Sequence, residues 1–247
     1  MSATIMHSSE HSTGATSPAW LMLTGGDRII DIKVRITYKT VNNGAFPMQL
    51  PQSLLKYQDV SPERKDRRLI KGATGTFYDV FNFRPWMINL HDIATSLSKK
   101  CRWNGMINID GIFTIAQHSV YVSRIMGPKP EYRLMGLLHD ASEGPMVDMI
   151  TPMKRELPDF VDVEDHIQTM IYNHFDLSIT PEMDKALHAA DRLVLEWEAN
   201  QFDREWDNMQ TDRKIFDVFP EGCLDSAAAK KLFIAEFNSV VSEILTR

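Results

Sequence analysis

Cysteine is scarce in this chain. Of 247 residues only Cys101 and Cys223 carry a thiol, far apart and without a C-x-x-C pattern. A disulfide framework and a cysteine zinc site are therefore not expected, and a reducing compartment fits best. Long apolar runs are missing too: no stretch approaches the roughly 20 apolar residues of a membrane span. The first residues, with Ser8, Ser9, His11, Ser12 and Thr13, lack the basic segment and apolar run of a secretory signal. The expectation is a cytoplasmic protein with no membrane partner. Basic charge is not in excess either, since 27 Lys and Arg stand against 33 Asp and Glu, a formal net charge of -6. A surface that wraps a nucleic-acid duplex needs surplus Lys and Arg to displace counterions. A small anion held at a metal needs only local charge.

What is present is ample apolar material, 43% of residues, enough to bury a full core in one domain with an elaboration. Residues 1–18, rich in Ser, Thr and His, are expected to form a flexible leader. A β-containing extension is expected over 19–75. Within it, Ile30, Ile32, Val34, Ile36 and Tyr38 alternate with Asp31, Lys33, Arg35 and Thr37, which predicts a strand over Arg28 to Tyr38 with one wet face. Its partner strand is expected between about residues 45 and 80.

From Leu90 onward the period changes to 3.6, and helices are expected to dominate residues 76–247. Leu90, Ile93, Ala94, Leu97 and Cys101 form one apolar stripe. Further helices are predicted over Thr114 to Met126, Tyr132 to Glu143 and Asp162 to Leu177. Another should begin at Thr180-Pro181, and a last one should be capped by Asp225 or Ser226. The fold class predicted is mainly α, a helical bundle with a small β-containing N-terminal extension.

Four ionisable residues sit where this periodicity predicts core. His118 shares a face with Ile115 and Val122, His139-Asp140 follows Leu137-Leu138, and Asp191 follows Leu187 and Ala190. Burying unpaired carboxylates there would cost several kcal/mol, an objection that a shared cation removes. Two neutral imidazoles with two carboxylates make a mixed N/O site suited to divalent Mn, Fe, Co, Ni or Zn, or to Mg with more water. Water activated there could attack phosphorus while the ion neutralises phosphoryl charge. Glu143, four residues after His139, is aimed at the same pocket if the helix continues, and could relay a proton. Asp148 follows, then Thr151-Pro152 starts a new helix, and Lys154 within it could attract an anionic substrate. The second His-Asp pair, His91-Asp92, points away from the Leu90 stripe and is expected on a solvated face. His174 is expected in the core, with His166 and His188 at the surface.

These elements, Gln117-His118-Ser119, Leu138-His139-Asp140-Ala141-Ser142-Glu143, Asp148, Thr151-Pro152-Met153-Lys154 and Ala190-Asp191, form an ordered pattern. It resembles the HD-domain phosphohydrolase superfamily, and within it the 5'-deoxynucleotidases and small phage deoxynucleotide phosphohydrolases, over about Phe77 to Asn200. The resemblance implies an HD-type phosphohydrolase domain over 76–247. In it His118, His139, Asp140 and Asp191 are the metal ligands, Glu143 transfers protons and Asp148 binds sugar hydroxyls or assists the water. It also implies that Arg102-Trp103 contacts phosphate and base. The chemistry agrees, because guanidinium grips phosphate in a fork and indole offers a stacking surface. Met146 and Val147 depart from the nucleotidase pattern, which is small or polar there. The N-terminal extension lies outside the resemblance and could cap the pocket, mediate a homo-oligomer or bind a partner.

The function expected is metal-dependent hydrolysis of the 5'-phosphate or 5'-triphosphate of a small-molecule (deoxy)nucleotide. Two alternatives use the same residues: a phosphodiesterase on a cyclic or oligomeric nucleotide, and a non-catalytic nucleotide-binding regulatory module.

Overall fold

In the computed structural model the described residues are 52–57, 68–108, 110–202 and 222–247, with the backbone of 2–6, 20–25 and 28–32. The chain divides into two compact units, Met1–Met48 and Gln49–Arg247.

The first unit holds a three-stranded antiparallel sheet of β1 (Ser2–Met6), β2 (Trp20–Gly25) and β3 (Arg28–Ile32) in that order. β1 pairs with β2 from Ser2↔Thr24 to Met6↔Trp20, and β2 pairs with β3 from Leu21↔Ile32 to Gly25↔Arg28. Residues 2–6 of the expected leader form a strand, and among the described residues β3 pairs with β2, which precedes it; residues 45–51 and 58–67 of the window expected to hold its partner lie outside the described residues. The sequence Gly26-Asp27 between β2 and β3 is a hairpin signal in its own right. Residues 33–38 of the predicted strand lie outside the described residues.

Residues 49–75, expected in the extension, belong to the second unit. A 3-10 segment, Gln52–Tyr57, packs on the helix α5 (Pro158–His174), where Ser53 Oγ donates to Asp162 and Tyr57 Oη to Asp159 Oδ2 at 3.1 Å. The short strands β4 (Ile70–Lys71) and β5 (Phe77–Tyr78) pair only with each other in the described residues.

The remaining described residues of the second unit are mainly helical, as expected: α1 (Leu90–Leu97), α2 (Ile115–Ile125), α3 (Pro130–Leu138), α4 (Thr151–Lys154), α5, α6 (Pro181–Gln201) and α7 (Ser226–Leu245). Helix starts follow local chemistry. Asn89, Thr114, Thr180 and Asp225 each accept from the backbone N–H three residues on, and Pro130, Pro158 and Pro181 stand at first positions where a missing N–H is harmless. α2 packs on α3, and α6 and α7 each pack on both. The core lies between them, with Val122, Leu134, Leu137, Val194, Phe233 and Val240 buried. Among the described residues no helix is long and apolar enough to cross a membrane.

Asp92 is not on a solvated face. It is buried, and its carboxylate accepts from Thr74 N at 2.7 Å, Thr74 Oγ1 at 2.7 Å and Tyr78 Oη at 2.9 Å, which clasps the 72–78 turn to α1. His166 is also buried rather than at the surface.

Candidate metal centre

Each imidazole of the site is oriented by a bond on the side away from its partner. His118 lies in the middle of α2, fully buried, with Nδ1 2.6 Å from Glu198 Oε1. His139 caps the C-terminus of α3 and its Nδ1 lies 2.8 Å from the Gly136 carbonyl oxygen. A carbonyl or carboxylate partner makes each Nδ1 the N–H donor, which leaves the Nε2 lone pair on each ring. The two Nε2 atoms are 3.3 Å apart. Helix packing permits this approach, because a side chain at Gly136 would meet Met126 Cγ at 2.7 Å and the Ser123 backbone at 3.1 Å.

Asp191, from α6, brings Oδ1 to 3.1 Å from His118 Nε2 and 3.9 Å from His139 Nε2. His118, His139 and Asp191 thus form a cluster that could hold a metal ion. Asp140 stands beside it, with Oδ1 3.2 Å from His139 Nε2 and Oδ2 3.8 Å from His118 Nε2. Its Oδ2 is buried without a hydrogen-bond partner. The Asp191 side chain is 40% exposed, wetter than its helical position suggested.

The electrostatics ask for a positive charge at this point. Burial and Arg102 pull the His118 imidazole down, but Glu198 and Asp191 outweigh them and raise it to about 9. Burial opposes ionisation of Asp191, yet its hydrogen bond with His118 and the nearby imidazoles lower it to about 2. Asp140 is likewise held below the usual carboxylate range, against burial, by His139, His118 and Arg102. Two facing Nε2 atoms, where an ion would take the place of the His118 proton, two ionised aspartates and an unpartnered Oδ2 suit a divalent cation.

Glu143 reaches the site by a route the sequence did not show. α3 ends at Leu138, and Asp140 leaves helical geometry at φ -100°, ψ 17° before a 3-10 turn, Ala141–Glu143. A continuing helix would bond Ser142 N–H to the Leu138 carbonyl. The Gln168 amide stands between them instead, accepting from Ser142 N at 3.0 Å and donating to Leu138 O at 2.7 Å. Beyond the turn, Lys100 Nζ donates to the carbonyls of Glu143, Gly144 and Met146. Burial lowers that ammonium to about 8, against the pull of Glu143 and Asp148. The predicted helix over Tyr132 to Glu143 is therefore two pieces, and tertiary hydrogen bonds place Glu143.

The Glu143 side chain is buried with Oε2 unpartnered and Oε1 3.8 Å from Lys154 Nζ. Burial, with the charges of Asp140 and Asp148, raises its carboxyl to about 10, against Lys154 and Arg102. Asp148 is half-buried and raised by burial and Asp140, against Arg102 and Lys154. Lys154 Nζ itself pairs with Glu164 Oε1 at 2.9 Å. Met146 and Val147 line a mostly apolar cleft of about 690 Å³ with Ile70, Phe81, Leu157 and Val163.

Arg102 and Trp103 do lie at the centre. Arg102 Nη1 is 3.9 Å from Asp140 Oδ2 and its Nε is 3.5 Å from Glu198 Oε2. Trp103 is half-buried, and its indole Nε1–H donates to Glu198 Oε2 at 2.8 Å. Glu198 itself was missed in the sequence. It stands seven residues after Asp191, two turns on along the face that carries Ala190 and Val194, so heptad spacing from a ligand was the available signal. On the far side of His118, Gln117 donates to Tyr121 Oη at 2.7 Å and to Gly222 O, and accepts from Leu224 N at 3.3 Å, pinning residues 222–224 to α2.

Fold and site together define a mainly helical protein with a His, His, Asp centre able to hold a metal ion. No protein-family model matches the chain. It is 30% identical over 170 residues to the uncharacterized protein YfdR of Escherichia coli (strain K12), a match covering 66% of this chain and 89% of YfdR. It is 32% identical over 136 residues to the uncharacterized protein RCAP_rcc00048 of Rhodobacter capsulatus, covering 52% of this chain and 69% of that protein. The chain belongs to the same family as these two proteins.

Proposed function

We propose that the chain is a divalent-metal-dependent phosphohydrolase of the HD type that hydrolyses the 5'-phosphate or 5'-triphosphate of a (deoxy)nucleotide. The observation that carries this reading is the convergence of His118 Nε2, His139 Nε2 and Asp191 Oδ1, with the Asp140 carboxylate alongside. When bound, a divalent ion supplies Lewis acidity for phosphoryl oxygen and for water.

The chain's own residues provide the rest. His118, His139, Asp140 and Asp191 would hold the ion, the two imidazoles preset by Glu198 and the Gly136 carbonyl. Glu143, a buried carboxyl beside Asp140 and Lys154, whose burial favours the protonated form, would give a proton to the departing oxygen. Asp148, close enough to feel the Asp140 charge, orients water or a sugar hydroxyl. Arg102 and Lys154 offer positive charge to phosphate, and Trp103 offers a flat face to a base.

The test is a screen of nucleoside mono-, di- and triphosphates with Mn, Fe, Co, Ni, Zn and Mg, with products identified. Nucleoside plus phosphate would mark a nucleotidase and nucleoside plus triphosphate a triphosphohydrolase. Inactivity throughout would sink the reading. Asp140→Asn should remove metal binding and turnover together while far-UV circular dichroism stays unchanged.

A further inference from the structure

Glu198 is a fully buried ionisable residue that the proposed reaction does not itself use. Its oxygens divide their work. Oε1 accepts from His118 Nδ1–H at 2.6 Å, while Oε2 accepts from the Trp103 indole at 2.8 Å and lies 3.5 Å from Arg102 Nε. A carboxylate so deeply buried is strongly unfavourable unless donors surround it. Here the donors come from two different parts of the site, a metal-facing imidazole on α2 and the turn that carries Arg102.

That turn is held in an unusual backbone state. Trp103 and Asn104 sit at φ 57° and 53°, a left-handed conformation that residues with a side chain keep only when their surroundings impose it. The indole bond to Glu198 is one tertiary contact that does so.

We infer that Glu198 is a positioning residue that ties the metal centre to the Arg102-Trp103 turn. One oxygen fixes His118 as the Nδ1–H tautomer with Nε2 turned to Asp191 and His139, and the other draws the turn against the same point. Assembly of the metal centre and placement of Arg102 are then one event. The inference rests on the metal reading above, and it does not depend on the nature of the substrate.

The test uses full-length protein freed of metal and titrated with Zn²⁺. Calorimetry reads the affinity, and ¹⁵N NMR follows the Trp103 indole N–H, assigned by its loss in Trp103→Phe. Glu198→Gln keeps size and shape but offers one acceptor oxygen in place of two. The expected result is a roughly ten- to hundredfold loss of metal affinity in Glu198→Gln, the range found for partners that orient ligands. In the wild type, metal addition should shift the Trp103 indole resonance, because the two groups share one carboxylate. Wild-type affinity in a folded Glu198→Gln would overturn the inference. So would an indole resonance in the wild type that metal leaves unmoved, a measurement that needs no variant to fold. Failure of the wild type to bind any metal would instead bring down the metal reading and this inference with it.

Discussion

His118 and His139 face each other through their Nε2 atoms at 3.3 Å, while each Nδ1 is engaged elsewhere, by Glu198 and by the Gly136 carbonyl. Neither ring can turn its N–H toward the other without breaking a buried bond. The pair is built around a positive charge, and its behaviour toward metal follows.

Divalent metal should stabilise the protein, because the site exists only in the folded chain. At a free concentration of 100 times Kd the gain is about 2.7 kcal/mol, a rise in Tm of several degrees for a chain of this length. Differential scanning fluorimetry with Zn, Co and Mn, and with chelator to reverse the shift, measures it. His118→Asn should abolish the shift. A metal-dependent Tm rise of unchanged size in that variant would contradict the assignment.

Glu143 should give the metal-free protein a pH-dependent stability of predictable sign. Burial and the charges of Asp140 and Asp148 raise its carboxyl from 4.5 to about 10. Between those values the folded state keeps a proton that the unfolded chain releases, so stability falls as pH rises. The contribution is complete below about 4.5 and is lost on the way to 10. Glu143→Gln keeps the neutral form and should flatten that slope in urea unfolding between pH 6 and 9. It should gain roughly 1 kcal/mol or more at the alkaline end, the scale of a buried unsatisfied polar group. A slope equal to wild type would refute the assignment. In the proposed reaction the same variant should lose roughly 10²- to 10⁴-fold in kcat.

Gln168→Ala should free both the Leu138 carbonyl and the Ser142 N–H that the amide now bridges. The expected cost is about 1–3 kcal/mol, read as a lower Tm. Hydrogen exchange at Ser142 should also change, by faster exchange if the donor is orphaned or by helical protection if α3 extends. A neutral result on both would show that the amide does not control the helix end.

Asp92→Ala should release the 72–78 turn from α1, since it removes the acceptor for Thr74 and Tyr78. Loss of stability of about 1–3 kcal/mol is expected, with the metal-induced Tm shift preserved because no site residue is touched. A lost metal response would mean that the clasp reaches further than its contacts.

The helices and their caps were legible because their signals are local. Thr180 and Asp225 occupy cap positions as read from their neighbours, Thr114 caps the helix expected to begin there, and α2 and α6 carry His118 and Asp191 at the predicted places in the periodicity. The small sheet was half legible. Alternation marks β3, but alternation names no partner, and the hairpin signal that joins β2 to β3 stands upstream of the window expected to hold one.

The errors have a common physical origin. His91-Asp92 and His139-Asp140 look alike in sequence, and both aspartates turn out to be sheltered. They differ in which donors the fold brings, Thr74 and Tyr78 to Asp92 and imidazoles to Asp140. Glu143 was assigned to the pocket through a helix that does not extend that far.

The sequence by itself determined the helical architecture and which histidines and aspartates could meet, because periodicity and capping are set within a few residues. Only the tertiary structure decided how they meet. The break at Leu138 is made by Gln168 from α5, the Glu143 loop is anchored by Lys100, and Glu198 links His118 to Trp103 across 80 and 95 positions of the chain. Each of these is a buried polar group satisfied by a distant partner, and such a bond exists only once the core has closed around both ends.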